Sequence, residues 1–304
     1  VAVTMGYSTL QTSRGLDVIF GIPSNPKTWL LVLIGFTIVY TGAAVTGIEK
    51  AVAFISEANM YLYYWIAIWA FVFVDPLNVM GLVFTTAANY LHNLIPLSFE
   101  LEPVTQSGWI SANPIFIYCW WALFAPIMGM FLIKLAYGRT IREFVFTNLI
   151  APVLFSFVWF SWLGGSSIFI DVFKGGKIYE SIASVGSDVA LYVLCDYLPW
   201  PSVMKIVSFF VVVLSFITLG QALAVAIAAM TTKGYADEDG LTKPPSVLVV
   251  FWACIMGALT YILLATGGMA ALQACAVTWG FPILIVMCFL MYGYVKVMMN
   301  LKVY

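Results

Sequence analysis

The sequence has very little charge. Only 9% of its 304 residues are charged, 63% are hydrophobic, and the mean hydropathy is +1.01. A soluble domain carries about 25% charged residues, so this chain has too few to cover a surface in water. The charges that exist lie in short polar segments between long apolar runs. This pattern predicts an all-α polytopic membrane protein.

Histidine is almost absent, and the cysteines are not clustered. His92 is the only histidine, and the five cysteines show no Cys-x-x-Cys spacing. Most metal sites and histidine-based catalytic triads need more such residues within reach of one another. A net charge of −1 leaves no basic surface for nucleic acid. We therefore expect no enzyme activity, no metal, no other cofactor and no nucleic-acid partner.

The long apolar runs are candidate membrane spans. A spanning helix takes about 20 apolar residues. Seven runs are clear candidates, and an eighth, at 1–21, is more polar than these seven. Residues 84–111 and 165–201 are mixed in character and predict helical pieces lying across one membrane face. The seven clear runs are 28–47, 58–83, 112–136, 144–164, 202–232, 246–267 and 270–297.

Three of the charges within or beside these runs are candidate functional residues. Arg14 and Asp17 are spaced i, i+3 and could pair on one helix face. A charge inside the membrane is a candidate functional residue, and the alternative is a structural pair near a helix end. Asp75, followed by Pro76, either marks the outer end of its helix or acts as a proton relay.

Basic residues near the helix ends indicate the orientation. Two arginines lie in 137–143, Lys233 and Lys243 lie in 233–245, and Lys296 and Lys302 lie near the C-terminus, whereas 95–105 and 180–196 are acidic. Because cytoplasmic loops carry an excess of Lys and Arg, we expect the basic segments in the cytoplasm. The prediction is a multi-pass protein of the plasma (inner) membrane with a cytoplasmic C-terminus.

The run at 112–136 is unusually aromatic. Its sequence IYCWWALFAPIMGMF places Trp121 and Phe124 at i, i+3 and Trp120 and Phe124 at i, i+4, so that they share a face. Pro126 removes one backbone hydrogen bond and tends to kink the helix. A kinked helix with an aromatic face suits the wall of a ligand cavity. The alternative is ordinary packing between membrane helices.

An aromatic wall without charge suits one class of ligand. A quaternary ammonium has no N–H to donate, but the face of an indole ring attracts it by about 0.5–2 kcal/mol per contact. Several rings around one methylated cation would form an aromatic box. The candidate box residues are Tyr118, Trp120, Trp121 and Phe124.

Residues 120–144, WWALFAPIMGMFLIKLAYGRTIREF, resemble the signature of the betaine/carnitine/choline transporter family. That signature combines a tryptophan-rich helix, a proline and a Gly-Met pair with a basic stretch. Other segments are similar to the family's fifth helix, the entry to its seventh, the end of its ninth and its last hairpin. These segments are 1–22, 46–60, 155–167 and 263–273.

The resemblance implies a secondary transporter with the LeuT-type inverted repeat of five plus five helices. The family carries betaine, carnitine, choline or dimethylsulfoniopropionate, and some members are homotrimers in the lipid bilayer. In this frame, which covers the family's C-terminal two-thirds, four helices precede Val1. Residues 1–111 hold the last three helices of the first repeat and an outer amphipathic segment, 112–298 the second repeat, and 299–304 a cytoplasmic tail. The alternative is a non-transporting or partial membrane subunit of a larger complex.

Two positions depart from the family pattern. Phe124 stands where the family commonly has a third tryptophan, and phenylalanine is a weaker cation–π partner. Sodium-driven members place Thr-Ser hydroxyls in the tenth helix, where this chain has Leu219–Gly220. A shift of one residue would bring Thr218 there, and Thr4 and Thr9 are candidates for a second cation site. We therefore doubt Na⁺ coupling, and sodium-independent exchange or H⁺ coupling stays open.

Overall fold

The computed structural model describes residues 1–46, 49–232 and 244–300, and within these ranges the chain is helical without a β-strand. This confirms the predicted all-α class. Short π-helical turns precede α5 and follow α6, and a 3₁₀ turn precedes α9. The helices are α1 (Ala2–Phe20), α2 (Pro26–Thr46), α3 (Glu49–Val74), α4 (Pro76–Phe99), α5 (Phe116–Ala136), α6 (Ile141–Trp159), α7 (Gly165–Phe173), α8 (Ile178–Val185), α9 (Ala190–Asp196), α10 (Pro201–Met230) and α11 (Ser246–Asn300).

The helices account for most of the predicted spans. Among the described residues, five helices are long and apolar enough to cross a membrane, or six if the bent pair of α3 and α4 forms one span. The predicted spans 28–47, 112–136 and 202–232 each correspond to one of them. The predicted span 144–164 is too short, because α6 continues through its π turn into α7 as one apolar stretch, Ile141–Phe173.

The last two predicted spans form the two arms of α11. Their junction is Gly268, whose φ of 58° and ψ of −138° interrupt the helix. A residue with a Cβ rarely adopts this conformation, so glycine is required for the break. The break lies between the predicted spans 246–267 and 270–297, which confirms the division made from the sequence.

The predicted span 58–83 is wrong at its C-terminal end. Helix α3 ends at Val74, and α4 leaves it at an angle of 110°. Asp75 caps α4, because its Oδ1 accepts a hydrogen bond from Asn78 N at 3.1 Å, and Pro76 occupies the first turn. Asp75 therefore marks a helix end, between α3 and α4, which agrees with the first of the two alternatives, while the side of the membrane on which it lies stays a prediction. The apolar residues beyond it belong to a second helix of different direction.

Helix α10 lies at the centre of the bundle and contacts α1, α2, α3 and α11. It contributes to two apolar cores. Phe216 belongs to the core shared with α1, α2 and α11, where its ring centroid lies 4.6 Å from that of Phe36. Val211, farther toward the N-terminus of α10, belongs to the core shared with α3 and the helical pieces after α6.

Close backbone approach joins α5 to α11. At Gly280 an added Cβ would lie 2.8 Å from the Cα of Cys119, which leaves no room for a side chain. Small residues at helix contacts let backbones approach in membrane proteins, where packing rather than water drives association. This contact fixes α5, the helix that carries the aromatic run, against the second arm of α11.

The segment 178–196 comprises α8, a 3₁₀ turn and α9, and it packs against the C-terminal part of α1. The Arg14–Asp17 pair predicted from the sequence is present at 3.0 Å, and Arg14 also binds Asp188 at 3.0 Å. Tyr192 Oη donates to Gln11 O at 3.2 Å. Because burial raises the pKa of the Tyr192 phenol, this hydroxyl keeps its proton and remains a donor.

The basic connections are only partly described. Residues 137–140 form an exposed turn and 141–143 begin α6, which Thr140 caps by accepting a hydrogen bond from Glu143 N at 3.2 Å. The predicted cytoplasmic segment 233–240 and the end of the tail, 301–304, lie outside the described residues. The division into 1–111, 112–298 and 299–304 stays a prediction.

Candidate substrate cavity

The two adjacent tryptophans of α5 have different surroundings. Trp120 is half-buried and packs against the core shared by α1, α2, α10 and α11. Trp121 is 64% exposed, and Tyr118, three residues earlier, is 66% exposed. Consecutive residues on an α-helix lie about 100° apart, so the pair cannot present both rings to one partner. The structure thus separates two residues that the sequence pattern grouped.

Trp120 takes part in a cluster of three aromatic rings. Its ring stacks with Tyr7 of α1 at a centroid distance of 5.6 Å and with Phe116 at 5.5 Å. Gln273 Nε2 of α11 donates to Tyr7 Oη at 3.2 Å. The cluster joins three helices, and sequence reasoning missed Tyr7 and Gln273. Only the i, i+4 spacing of Phe116 and Trp120 could have indicated it.

Trp121 and Phe124 contact each other as their spacing predicts. Their rings meet edge to face with a centroid distance of 6.4 Å and an interplanar angle of 85°. Phe124 is half-buried, whereas Trp121 and Tyr118 are exposed. The predicted residues therefore divide into Trp120, which packs inside the bundle, and an accessible aromatic pair beside Tyr118.

A cavity of about 260 Å³ lies between α3, α5 and α10. We call it the α5–α10 cavity. Two of its lining residues, Ile127 and Met128, follow Phe124 by one helical turn, so the Trp121–Phe124 pair precedes the cavity on the same helix. Its other lining residues are Ser56, Thr218, Leu219, Ala222, Leu223 and Ala226.

A second cavity, of about 250 Å³, adjoins the first at Ser56, which lines both. We call it the α3–α6 cavity. It is aromatic, because Tyr63, Tyr64 and Phe155 line it, and the Tyr64 and Phe155 rings meet edge to face at 5.4 Å. Its remaining lining residues are Asn59 and Met60. Sequence reasoning missed this cavity, although Ser56, Asn59 and Tyr63 recur at helical spacing.

A polar network connects α3 with α10 at this second cavity. Asn59 Nδ2 donates to Ser215 Oγ at 2.7 Å, and the Tyr63 hydroxyl shares a hydrogen bond with the same oxygen at 2.8 Å. Asn59 is 5% exposed. Its Oδ1 is buried and has no hydrogen-bond partner in the described part of the chain.

The threonines proposed as cation ligands lie apart. Thr218 lines the α5–α10 cavity, and its Oγ1 donates to carbonyl oxygens of its own helix, Leu214 O at 3.1 Å and Ser215 O at 3.0 Å. On α1, Thr9 Oγ1 donates to Met5 O at 2.7 Å. Thr4 Oγ1 is buried without a partner among the described residues. Neither Thr4 nor Thr9 lines the cavity that Thr218 lines.

Metal ligands are not gathered anywhere in the described ranges. No group of three His, Cys, Asp or Glu side chains there could hold a metal ion. The positions Leu219 and Gly220 offer no side-chain oxygen. Leu219 lines the α5–α10 cavity, and Gly220 packs on the ring of Tyr40, 3.0 Å from where a Cβ would stand.

Five or six helices are long and apolar enough to span a bilayer, and cavities lie between them, so the described residues have the architecture of a polytopic membrane protein. A family model described as betaine/carnitine/choline family transporter matches residues 1–303. The chain belongs to this family of transporters, as the signature at 120–144 predicted.

Curated relatives agree with this assignment. A probable glycine betaine transporter of Desulfitobacterium hafniense is 29% identical over 97% of this chain and 58% of its own length. An osmo-independent choline transporter of Acinetobacter baylyi is 30% identical over 97% of this chain and 56% of its own length. An ectoine/hydroxyectoine transporter of Virgibacillus pantothenticus is 23% identical over 98% of the chain and 58% of its own length. The chain spans about half the length of the curated relatives it matches, and these three are named as transporters rather than enzymes.

Proposed function

We propose that the chain forms part of the transport pathway of a secondary active transporter, which moves a quaternary ammonium compound or related onium zwitterion by alternating access. Candidate substrates are betaine, carnitine, choline and dimethylsulfoniopropionate. The observation that carries the proposal is the accessible Trp121–Phe124 pair, which lies one turn before the α5–α10 cavity on the helix that holds the family signature. The LeuT-type repeat is part of the proposal, with residues 112–298 as its second half.

The aromatic rings have different roles in this proposal. Trp121 offers the indole face to the methylated ammonium, with Phe124 and Tyr118 as weaker neighbours. Trp120 stacks with Tyr7 and Phe116, so its ring holds α5 in position against α1. A site that binds its substrate through ring faces needs rings whose orientation is fixed, and the stack supplies that rigidity.

The side-chain oxygens near the α5–α10 cavity bear on which ion could drive transport. Sodium prefers oxygen ligands, as other hard cations do, and Leu219–Gly220 supplies none from side chains. Thr218 donates its hydroxyl proton to its own helix and keeps its lone pairs, so it adds one possible oxygen ligand at the cavity. We therefore propose transport without sodium coupling, either as exchange of one onium compound for another or as proton-coupled uptake.

The setting in the cell is part of the same proposal. We place the protein in the plasma (inner) membrane with residues 137–143 and the C-terminus in the cytoplasm. We also propose a homotrimer in the lipid bilayer, by analogy with members of the family. Single cysteines introduced at positions 137–143 and 178–196 test the orientation. Their labelling in intact cells is compared with their labelling in opened cells.

Uptake of radiolabelled choline and glycine betaine by cells producing the protein tests the function. Trp121→Ala should abolish uptake and Trp121→Phe should only weaken it, because phenylalanine keeps a smaller aromatic face. Trp109→Ala is the matched control, since Trp109 is similarly exposed at 54% but precedes α5. Normal transport by both Trp121 variants would refute the aromatic site. Uptake that requires a second polypeptide would instead favour a partial subunit of a larger complex.

A further inference from the structure

The Asn59 side chain is held by one of its two polar atoms and leaves the other unpaired. Its Nδ2 donates to Ser215 Oγ at 2.7 Å, which fixes the amide, while Oδ1 is buried without a partner among the described residues. A buried carbonyl without a hydrogen bond destabilises the folded protein. A donor that binds there removes this destabilisation.

The neighbouring hydroxyls supply the complementary half of a site. Tyr63 and Ser215 share one hydrogen bond at 2.8 Å, so only one of their two hydroxyl protons is used in it. The second proton has no acceptor among the hydrogen bonds of the described residues. Among the described residues, the network therefore presents one free acceptor, Asn59 Oδ1, and two free donors, the second N–H of Asn59 Nδ2 and one hydroxyl of Tyr63 or Ser215. A group that both donates and accepts, such as a hydroxyl, satisfies the acceptor and one of the donors.

The same cavity also offers aromatic surface. Tyr63, Tyr64 and Phe155 line it around Asn59, and Ser56 connects it with the α5–α10 cavity. Trp159 lies beyond Tyr63, with a centroid distance of 5.0 Å between the two rings. A small organic cation with a short polar arm can thus keep its methyl groups on aromatic or apolar surface while its arm reaches the network.

We propose that Asn59, Tyr63 and Ser215 form a specificity site for the hydroxyl group of an onium substrate. The site would make the transporter prefer a hydroxyl-bearing cation such as choline to a carboxylate zwitterion such as glycine betaine. This inference rests on the proposed function, because it names which of the candidate substrates the cavity favours.

The charge distribution explains the preference. A carboxylate has no proton for Asn59 Oδ1, so it would leave that carbonyl unpaired and bring a negative group beside it. A site built to hydrogen-bond a hydroxyl discriminates strongly against an analogue that lacks it, because its own buried groups are then left without partners. A sodium ion could use the oxygens but not the free hydroxyl proton, and among the described residues no carboxylate lines the α3–α6 cavity to balance its charge.

Binding of two matched cations to the full-length protein in detergent or lipid tests the proposal. Choline and propyltrimethylammonium have the same size and the same trimethylammonium group, and differ in having a hydroxyl or a methyl at the end of the arm. The dissociation constants are measured by tryptophan fluorescence, to which Trp159 beside Tyr63 contributes a local signal. We expect choline to bind about 10-fold more tightly, as one satisfied buried carbonyl allows.

Two variants reduce the discrimination to different extents. Asn59→Ala removes the unpaired carbonyl and should bring the ratio of the two dissociation constants close to 1. Tyr63→Phe keeps the ring and loses only the hydroxyl, so it should lower the ratio in part, because Asn59 Oδ1 remains. Neither variant should weaken propyltrimethylammonium. Thr12→Val is the control, because Thr12 is also buried with an unpartnered hydroxyl but lies on α1, outside both cavities.

The outcomes separate this inference from the function on which it rests. An unchanged ratio in both variants, with both cations still bound, overturns the specificity site and leaves the proposed function standing. Absence of binding of either cation to the wild-type protein counts against the proposed function itself. A fluorescence change with sodium chloride alone that is lost in Tyr63→Phe would assign the oxygens to a cation and overturn the hydroxyl site.

Discussion

Arg14 holds Asp17 and Asp188 with different nitrogen atoms of one guanidinium. Its Nη1 lies 3.0 Å from Asp17 Oδ2 on the same helix, and its Nε lies 3.0 Å from Asp188 Oδ2 in the segment that comprises α8 and α9. The Asp188 side chain is only 9% exposed, so solvent screens this contact less than a surface pair. Arg14 thereby ties the C-terminal part of α1 to segment 178–196.

Loss of this tie should loosen segment 178–196. In Arg14→Gln the carboxylate of Asp188 loses its charged partner, which costs about 1–3 kcal/mol for a partly buried group. We expect faster amide hydrogen exchange in 187–196 and a lower melting temperature. Lys177→Gln is the matched control, because Lys177 and Glu180 are both about 70% exposed and exposed pairs contribute about 0–1 kcal/mol. Equal exchange in both variants would contradict the role given to Arg14.

The contact between Arg14 and Asp188 also shows what the sequence could not reveal. The i, i+3 spacing of Arg14 and Asp17 predicted their pair because helix geometry alone brings them together. No local rule relates Arg14 to a residue in a distant segment. For the same reason, apolar length predicted most spans but missed the bend at Asp75. The mean hydropathy of the whole run changes little with one capping aspartate, so it does not reveal that the helix direction changes there.

The stacking of Trp120 predicts that the two adjacent tryptophans affect different properties. Trp120→Ala removes a half-buried ring that stacks with Tyr7 and Phe116, and it should lower stability by about 2–4 kcal/mol. Trp121→Ala changes an exposed side chain, and its effect on stability should stay within about 0.5 kcal/mol. Thermal unfolding of the purified variants measures this, and uptake of a trimethylammonium substrate measures function. A Trp121→Ala protein as unstable as Trp120→Ala would refute this division of roles.

Only part of the candidate site could be predicted from the sequence. The signature around Trp121 and Phe124 could be read because its spacing places those rings on neighbouring positions of one helix. The network of Asn59 and Ser215 could not, since it joins residues of two helices far apart in the chain. Polar residues are few in membrane helices and are therefore easy to find in the sequence. Their spacing within one helix does not indicate which residue of another helix each of them contacts.

The close approach of Gly280 and Cys119 predicts a strong dependence on side-chain size. In Gly280→Ala the new methyl group would collide with the backbone of α5, which cannot move away as a flexible side chain can. Such overpacking costs about 1–3 kcal/mol, so we expect a lower melting temperature. Gly293→Ala, on the same arm of α11, should have little effect because nothing among the described residues lies within 4 Å of its added Cβ. Thermal unfolding of both variants in the same detergent makes the comparison.

The shortage of side-chain oxygens beside Thr218 predicts transport that does not depend on sodium. Donation to Leu214 O and Ser215 O leaves the lone pairs of Thr218 Oγ1 available, but the neighbouring Leu219–Gly220 adds no side-chain oxygen. Uptake into vesicles should therefore be equal with an inward sodium gradient and with a potassium gradient of the same size. Thr218→Val should leave that equality unchanged, because valine has a similar shape and removes only the hydroxyl. Strict sodium dependence that Thr218→Val abolishes would show that this hydroxyl does bind the coupling ion, and would overturn the proposal of sodium-independent transport.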